Sequence, residues 1–176
     1  MPLISTNQLE KLVDFFNILE KNNIRYIVLR GYYDLPDRIR TDLDIACHPD
    51  DQYKFYEFAK THLEYNSYPY IGQINGKEIL YWDFFISDKT NTNQNIRMDL
   101  YNGIFWFHGK AKIDDRTYYP DDNIFQEYIF NNRIKNDWFY IPSNEIRLIF
   151  DLLRCIYDKR KPIGDIKVGT KYRNEI

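Results

Sequence analysis

Cysteine is scarce in these 176 residues, and so are the other features that would place the chain at once. Two cysteines, Cys47 and Cys155, lie far apart in apolar stretches; they suit small core residues in a reducing compartment, the cytosol by default, rather than a disulfide framework. With 24 Lys and Arg against 26 Asp and Glu the net charge is −2, so no global field draws the chain to nucleic acid or to anionic lipid. No apolar run approaches the roughly 20 residues that cross a bilayer. The opening MPLISTNQLEK lacks a basic stretch followed by an apolar one, so neither a membrane span nor a secretory signal is expected. Three scattered His and two Cys make no zinc constellation. Aromatic residues are plentiful, but they accompany much Asn, Lys and Ile and carry no function by themselves.

The spacing of apolar residues predicts a first helix in STNQLEKLVDFFNILEKNN. Ser5 and Gln8 form a capping box, Leu9, Leu12, Val13, Phe16 and Leu19 share a stripe, and Asn22 and Asn23 end it. IRYIVLR follows as a strand stopped at Gly31, YYDLPDRIR is a loop, and TDLDIAC is the next strand. Pro49 and Asp50 open a second helix that runs to about Leu63, with Phe55, Phe58, Ala59 and His62 on one stripe. EILYWDFFI and IRMDLYNGIFWF read as an antiparallel pair joined by SDKTNTNQN. DDNIFQEYIFNNR is a short helix or irregular. SNEIRLIFDLLRCIYDK is a late helix with Ser143 as N-cap and Ile146, Phe150, Leu153 and Tyr157 on one face. One domain is expected over 1–176, with a core at 5–108, a C-terminal helical part at 121–160 and a polar basic tail at 161–176.

In DLDI, Asp42 and Asp44 alternate with Leu43 and Ile45, so both carboxylates project from one face of a strand. Two like charges at that spacing repel and resist desolvation unless they stay solvated or a cation sits between them. A hard divalent ion, Mg²⁺ or Mn²⁺, takes oxygen ligands and keeps waters for phosphates. A DxD pair alone is more often a solvated strand end. Asp99 in IRMDLY, on a strand expected beside the first, offers a third carboxylate. Three acids from adjacent strands can hold two ions about 3.5–4 Å apart, the spacing of phosphoryl displacement. Gly31 ends the preceding strand where a backbone can approach a ligand closely.

This order, Gly31, ten intervening residues, Asp42-Leu43-Asp44-Ile45, then Met98-Asp99-Leu100, resembles the signature of the nucleotidyltransferase-fold superfamily. That superfamily includes DNA polymerase β, poly(A) polymerases, aminoglycoside nucleotidyltransferases and MNT-type antitoxins. The framing LRG, LP, DLDI is most similar to uncharacterised members found with bacterial surface-polysaccharide genes, and more distantly to the LicD phosphocholine transferases. The resemblance covers about Ile24 to Tyr101 and a helix on each side. It implies an α+β fold, a mixed sheet with helices packed on one side plus a C-terminal helix. It also implies a nucleoside triphosphate or nucleotide-linked donor and transfer to a sugar or small-molecule acceptor. Asp42 and Asp44 would ligate the metals, Asp99 would ligate one and help deprotonate the acceptor, and Gly31 would contact the donor. Tyr32 stands where these families carry Ser or a second Gly, which implies a donor seated differently from an ordinary nucleoside triphosphate, or of another kind. Lys159, at a helix end, matches the basic residue that the region after the sheet often lends to the phosphates.

Arg30 and Arg97 flank the key positions and either neutralise phosphate or pair with nearby carboxylates. Asp83, in YWDFF, reads as an edge-strand residue facing solvent rather than a fourth acid of the site. His48, His62 and His108 read as surface, capping or structural, since a hard-oxygen site does not favour imidazole. Residues 159–176 carry six Lys and Arg against two acids, a net of +4, which reads first as a solvated tail. Two other classes stay open. A catalytically silent module of this fold could bind a nucleotide or a partner protein. A glycosyltransferase DxD ranks lower, because that motif normally follows a substantial nucleotide-binding subdomain.

Overall fold

The computed structural model describes residues 3–39, 42–65, 70–74, 77–88, 95–103, 111–113, 116–118 and 123–157. Helix α1 (Thr6–Lys21) starts as the capping box requires: the Ser5 side chain accepts from the Gln8 N–H, and the Gln8 side chain accepts from the Ser5 N–H at 3.2 Å. Its buried stripe runs through Gln8, Leu12, Phe15, Phe16 and Leu19, with Phe15 taking the place expected for Leu9 and Val13. Asn22 donates to the Ile18 carbonyl from both backbone and side chain, and Asn23 takes a left-handed φ of 56°, which ends the helix.

Strands β1 (Tyr26–Arg30) and β2 (Asp42–Cys47) pair antiparallel. A short 3₁₀ turn at Pro49–Asp51 leads into α2 (Gln52–His62), which buries Phe55 and Ala59. His62, expected on that stripe, is exposed, and its Nδ1 lies 2.8 Å from the Phe58 carbonyl. Then come β3 (Glu64–Tyr65), β4 (Tyr70–Ile74), β5 (Lys77–Ile86) and β6 (Ile96–Asn102). β7 (Ala111–Ile113) and β8 (Arg116–Tyr118) pair with each other. The C-terminal part holds α3 (Asn123–Asn131), a hairpin of β9 (Ile134–Asn136) and β10 (Phe139–Ile141), and α4 (Asn144–Tyr157). Ser143 caps α4, accepting from the Ile146 N–H at 3.3 Å.

The main sheet has the order β1-β2-β6-β5-β3, with β4 also on β5. β2 and β6 are parallel and the other pairs antiparallel, so the sheet is mixed, as expected. The parallel pair needs a crossover, and α2 lies in the segment that makes it. The outer side of β5 is met by β4 at Lys77–Tyr81 and by β3 at Phe84 and Phe85. Asp83 lies between these two stretches, and its side chain, 20% exposed, meets Arg97 rather than only solvent.

Alternation along the strands divides the sheet into two faces. On one, Leu43, Ile45, Met98, Leu100, Trp82 and Phe84 pack against the buried stripes of α1 and α2. On the other, Ile27, Leu29 and Ala46 pack against Ile129 and Phe130 of α3 and Ile146 and Phe150 of α4. These C-terminal helices cover the β1 end of that face. Asp42, Asp44 and Asp99 lie further along it, on β2 and β6. Cys47 is buried and unbridged, and burial holds its thiol well above the usual pKa. Among the described residues no helix is long and apolar enough to cross a membrane.

Candidate metal centre

β2 and β6 run parallel with Asp44 opposite Asp99 and Asp42 opposite Arg97. The expected neighbourhood of DLDI and IRMDLY is thus present, and pairing in register places the three carboxylates together. One oxygen from each of Asp42, Asp44 and Asp99 lies within 4.8 Å of the others. Asp44 is only 5% exposed and Asp99 7%, so two of the three charges are largely out of water. Burial is the largest influence on Asp44, and with Asp42 alongside it lifts the carboxyl above the usual range despite Arg30 and Tyr101. A group of hard oxygen donors with an excess of buried negative charge fits Mg²⁺ or Mn²⁺.

Arg30 reaches this face through an irregularity in β1. Val28 stands opposite Ile45, but Arg30 stands opposite Asp44, so the register slips by one residue between them. Leu29 and Arg30 both turn to the acidic face: Leu29 packs with Ala46, and Arg30 makes an ion pair with Asp44. Strict alternation would have sent Arg30 to the opposite side. Tyr101, two residues after Asp99 and on the same face of β6, donates to Asp44 Oδ1 at 3.0 Å. Arg97 sits between two acids, with Nε 3.1 Å from Asp83 and an Nη 3.3 Å from Asp99. Both arginines thus pair with site carboxylates.

Gly31 has φ +86°, and a Cβ there would lie 2.0 Å from the Asp42 carbonyl oxygen. The close approach that requires glycine is to the backbone of β2 at Asp42. Tyr32, expected among the donor-binding residues, is turned into the core, 7% exposed, with its ring 4.5 Å from that of Tyr33 and 5.9 Å from that of Phe139. Tyr33 is the more open of the pair, with the Arg147 guanidinium 5.8 Å from its ring. Lys159 lies outside the described residues, as does His108.

Tyr101, not singled out in the sequence, and Asp83, weighed there and set aside, both lie against this group, Tyr101 on Asp44 and Asp83 on Arg97. Both carried a signal, since Tyr101 follows Asp99 at i+2 and Asp83 interrupts an apolar strand. His48, expected at the surface or as a cap, is a buried cap: Nδ1 accepts from the Asp50 N–H at 3.2 Å, so Nε2 carries the hydrogen and donates to Glu127 at 2.8 Å. His48, Asp50 and Glu127 are close enough to suggest a metal group. Both ring nitrogens are already engaged, and Arg25 holds Asp50 at 3.2 Å and Asp51 at 2.8 Å. That group is a structural clasp.

No protein-family model matches this chain, and no curated protein does. Among solved structures the chain is similar to that of a Thermotoga maritima protein described as a "putative nucleotidyltransferase". The likeness covers 98% of this chain and 96% of that one, with a TM-score of 0.52 and 13% identity. At that identity the likeness is one of fold. The α+β architecture, a mixed sheet with four helices among the described residues, is therefore one that this chain shares with that protein.

Proposed function

We propose that this chain is a metal-dependent nucleotidyltransferase. Asp42, Asp44 and Asp99 hold Mg²⁺ or Mn²⁺, and the observation that carries this is their convergence from two adjacent strands on a fold of that kind. When bound, the cation neutralises the phosphates of the donor. The donor is a nucleoside triphosphate or another nucleotide-linked phosphate, with Gly31 and Arg30 beside it. The acceptor is a sugar or another small hydroxyl compound, a reading favoured by the likeness of residues 24–101 to proteins found with surface-polysaccharide genes. The acceptor oxygen forms a bond to the α-phosphorus as the bond to the leaving phosphate breaks, and Asp99 takes the hydroxyl proton.

A second reading has specific support. Arg30 pairs with Asp44 and Arg97 with Asp99, a balance of charge that a silent module binding nucleotide or protein without turnover would also use.

Thermal unfolding with and without Mg²⁺, against nucleoside triphosphates, nucleotide-sugars and CDP-choline, separates these readings. A ligand at 100 times its Kd adds about 2.7 kcal/mol, roughly 5–10 °C in a chain of this size. A metal-dependent shift of that order is expected for the parent and its loss in Asp42→Ala, with the metal-free fold retained. A shift without turnover selects the silent module. No shift with any donor removes the transferase reading.

A further inference from the structure

The row of acids does not end at Asp99. β5 runs antiparallel to β6 with Asp83 directly opposite Asp99, and Asp99 is opposite Asp44, so three carboxylates stand in line across three strands. Arg97 precedes Asp99 by two residues on the same face and touches the outer Asp83 and the central Asp99: Nε is 3.1 Å from Asp83, and an Nη is 3.3 Å from Asp99. The Asp83 side chain is 20% exposed, while that of Arg97 is 51% exposed.

A third like charge on this face adds repulsion, which a purely electrostatic view of the row would count against it. The guanidinium changes that view. Its planar fork of donors can be divided between two carboxylates, and what one holds the other gives up. Closed bidentate on Asp99 alone, Arg97 would be a resident cation competing for the oxygens a metal needs. Divided with Asp83, it takes up less of Asp99.

We propose that Asp83 is a positioning residue of the metal centre: it draws Arg97 away from Asp99 and so keeps that carboxylate available to a divalent cation. The inference rests on the metal-centre reading above. Asp83 acts through Arg97 and is not itself one of the ligating group, which comprises Asp42, Asp44 and Asp99. The alternative is an ion pair that only ties β5 to β6.

Mn²⁺ affinity, measured by the electron paramagnetic resonance of the free ion, distinguishes them in a cycle of Asp83→Asn, Arg97→Gln and the double variant. Asp83→Asn is expected to weaken Mn²⁺ binding by roughly tenfold or more, the range for residues that orient metal ligands. In the Arg97→Gln background the same change is expected to cost clearly less, because no guanidinium remains to close on Asp99. Arg97→Gln alone is expected to bind Mn²⁺ at least as tightly as the parent, which tests the idea even if Asp83→Asn folds poorly. Equal losses in both backgrounds, or weaker binding by Arg97→Gln, would overturn the proposal. Asp42→Ala keeps the two readings apart. Binding that Asp42→Ala abolishes and Asp83→Asn leaves intact sinks the role of Asp83 alone. A parent that binds no Mn²⁺ sinks the metal centre and this proposal with it.

Discussion

Gly31 closes β1 against the strand that carries Asp42 and Asp44, and its hydrogen faces the Asp42 carbonyl where a methyl group would overlap it. Gly31→Ala must therefore displace Asp42 as well as adopt a strained left-handed φ. A loss of roughly 2–4 kcal/mol in urea unfolding is expected. A loss below about 0.5 kcal/mol, the range of an indifferent surface change, would show that the strand end relaxes freely. At this scale the grouping of the three acids was legible. The alternation in DLDI placed two carboxylates on one face before any fold was known, and Met98-Asp99-Leu100 marked the third. Tyr32 was not legible, because a tyrosine after a glycine serves a pocket or a core equally well. Here Phe139, more than a hundred residues away, decides for the core.

Among the elements, the turn after β2 is held by a clasp of charges. Burial works against the charge of Asp51, but its hydrogen bonds from Arg25 outweigh burial and hold the carboxyl below the usual value. A lowered carboxyl pKa contributes stability above the unfolded value, and that contribution disappears as pH falls through the folded one. Asp51→Asn should therefore lower Tm at neutral pH, and the gap from the parent should close below the ordinary carboxylate range. A Tm difference that persists unchanged at acid pH would point to shape rather than charge. The helices were legible because their signals are local: the Ser5 and Gln8 box, Pro49 before α2, Ser143 before α4. The β9 and β10 hairpin was not anticipated, nor was the slip in β1. Nothing in IRYIVLR marks Arg30 as the residue that changes sides, since a bulge is defined only by the strand it faces.

Across the molecule, the two packed faces share β1 and β2, so loosening one should loosen the other. Phe130 is fully buried on the acidic face, edge-on to His48 at 5.3 Å, whereas Trp82 and Trp138 pack on the opposite face. Phe130→Ala is expected to cost about 3–5 kcal/mol. The same drop in midpoint should appear in tryptophan fluorescence and in far-ultraviolet circular dichroism, as one cooperative unit requires. Separated transitions would mean that α3 and α4 detach without the rest.

Amino-acid order alone was enough to say which residues alternate, where the capped helices begin, and which acids share a strand face, because each of these depends on neighbours within a few positions. It could not say that Asp99 stands opposite Asp44, that Asp83 stands opposite Asp99, or that Arg30 turns toward Asp44. Those relations were settled only by the pairing of β1, β2, β6 and β5 in one register, where burial of Leu43, Met98 and Phe84 on one face leaves their neighbours in sequence no choice but the other.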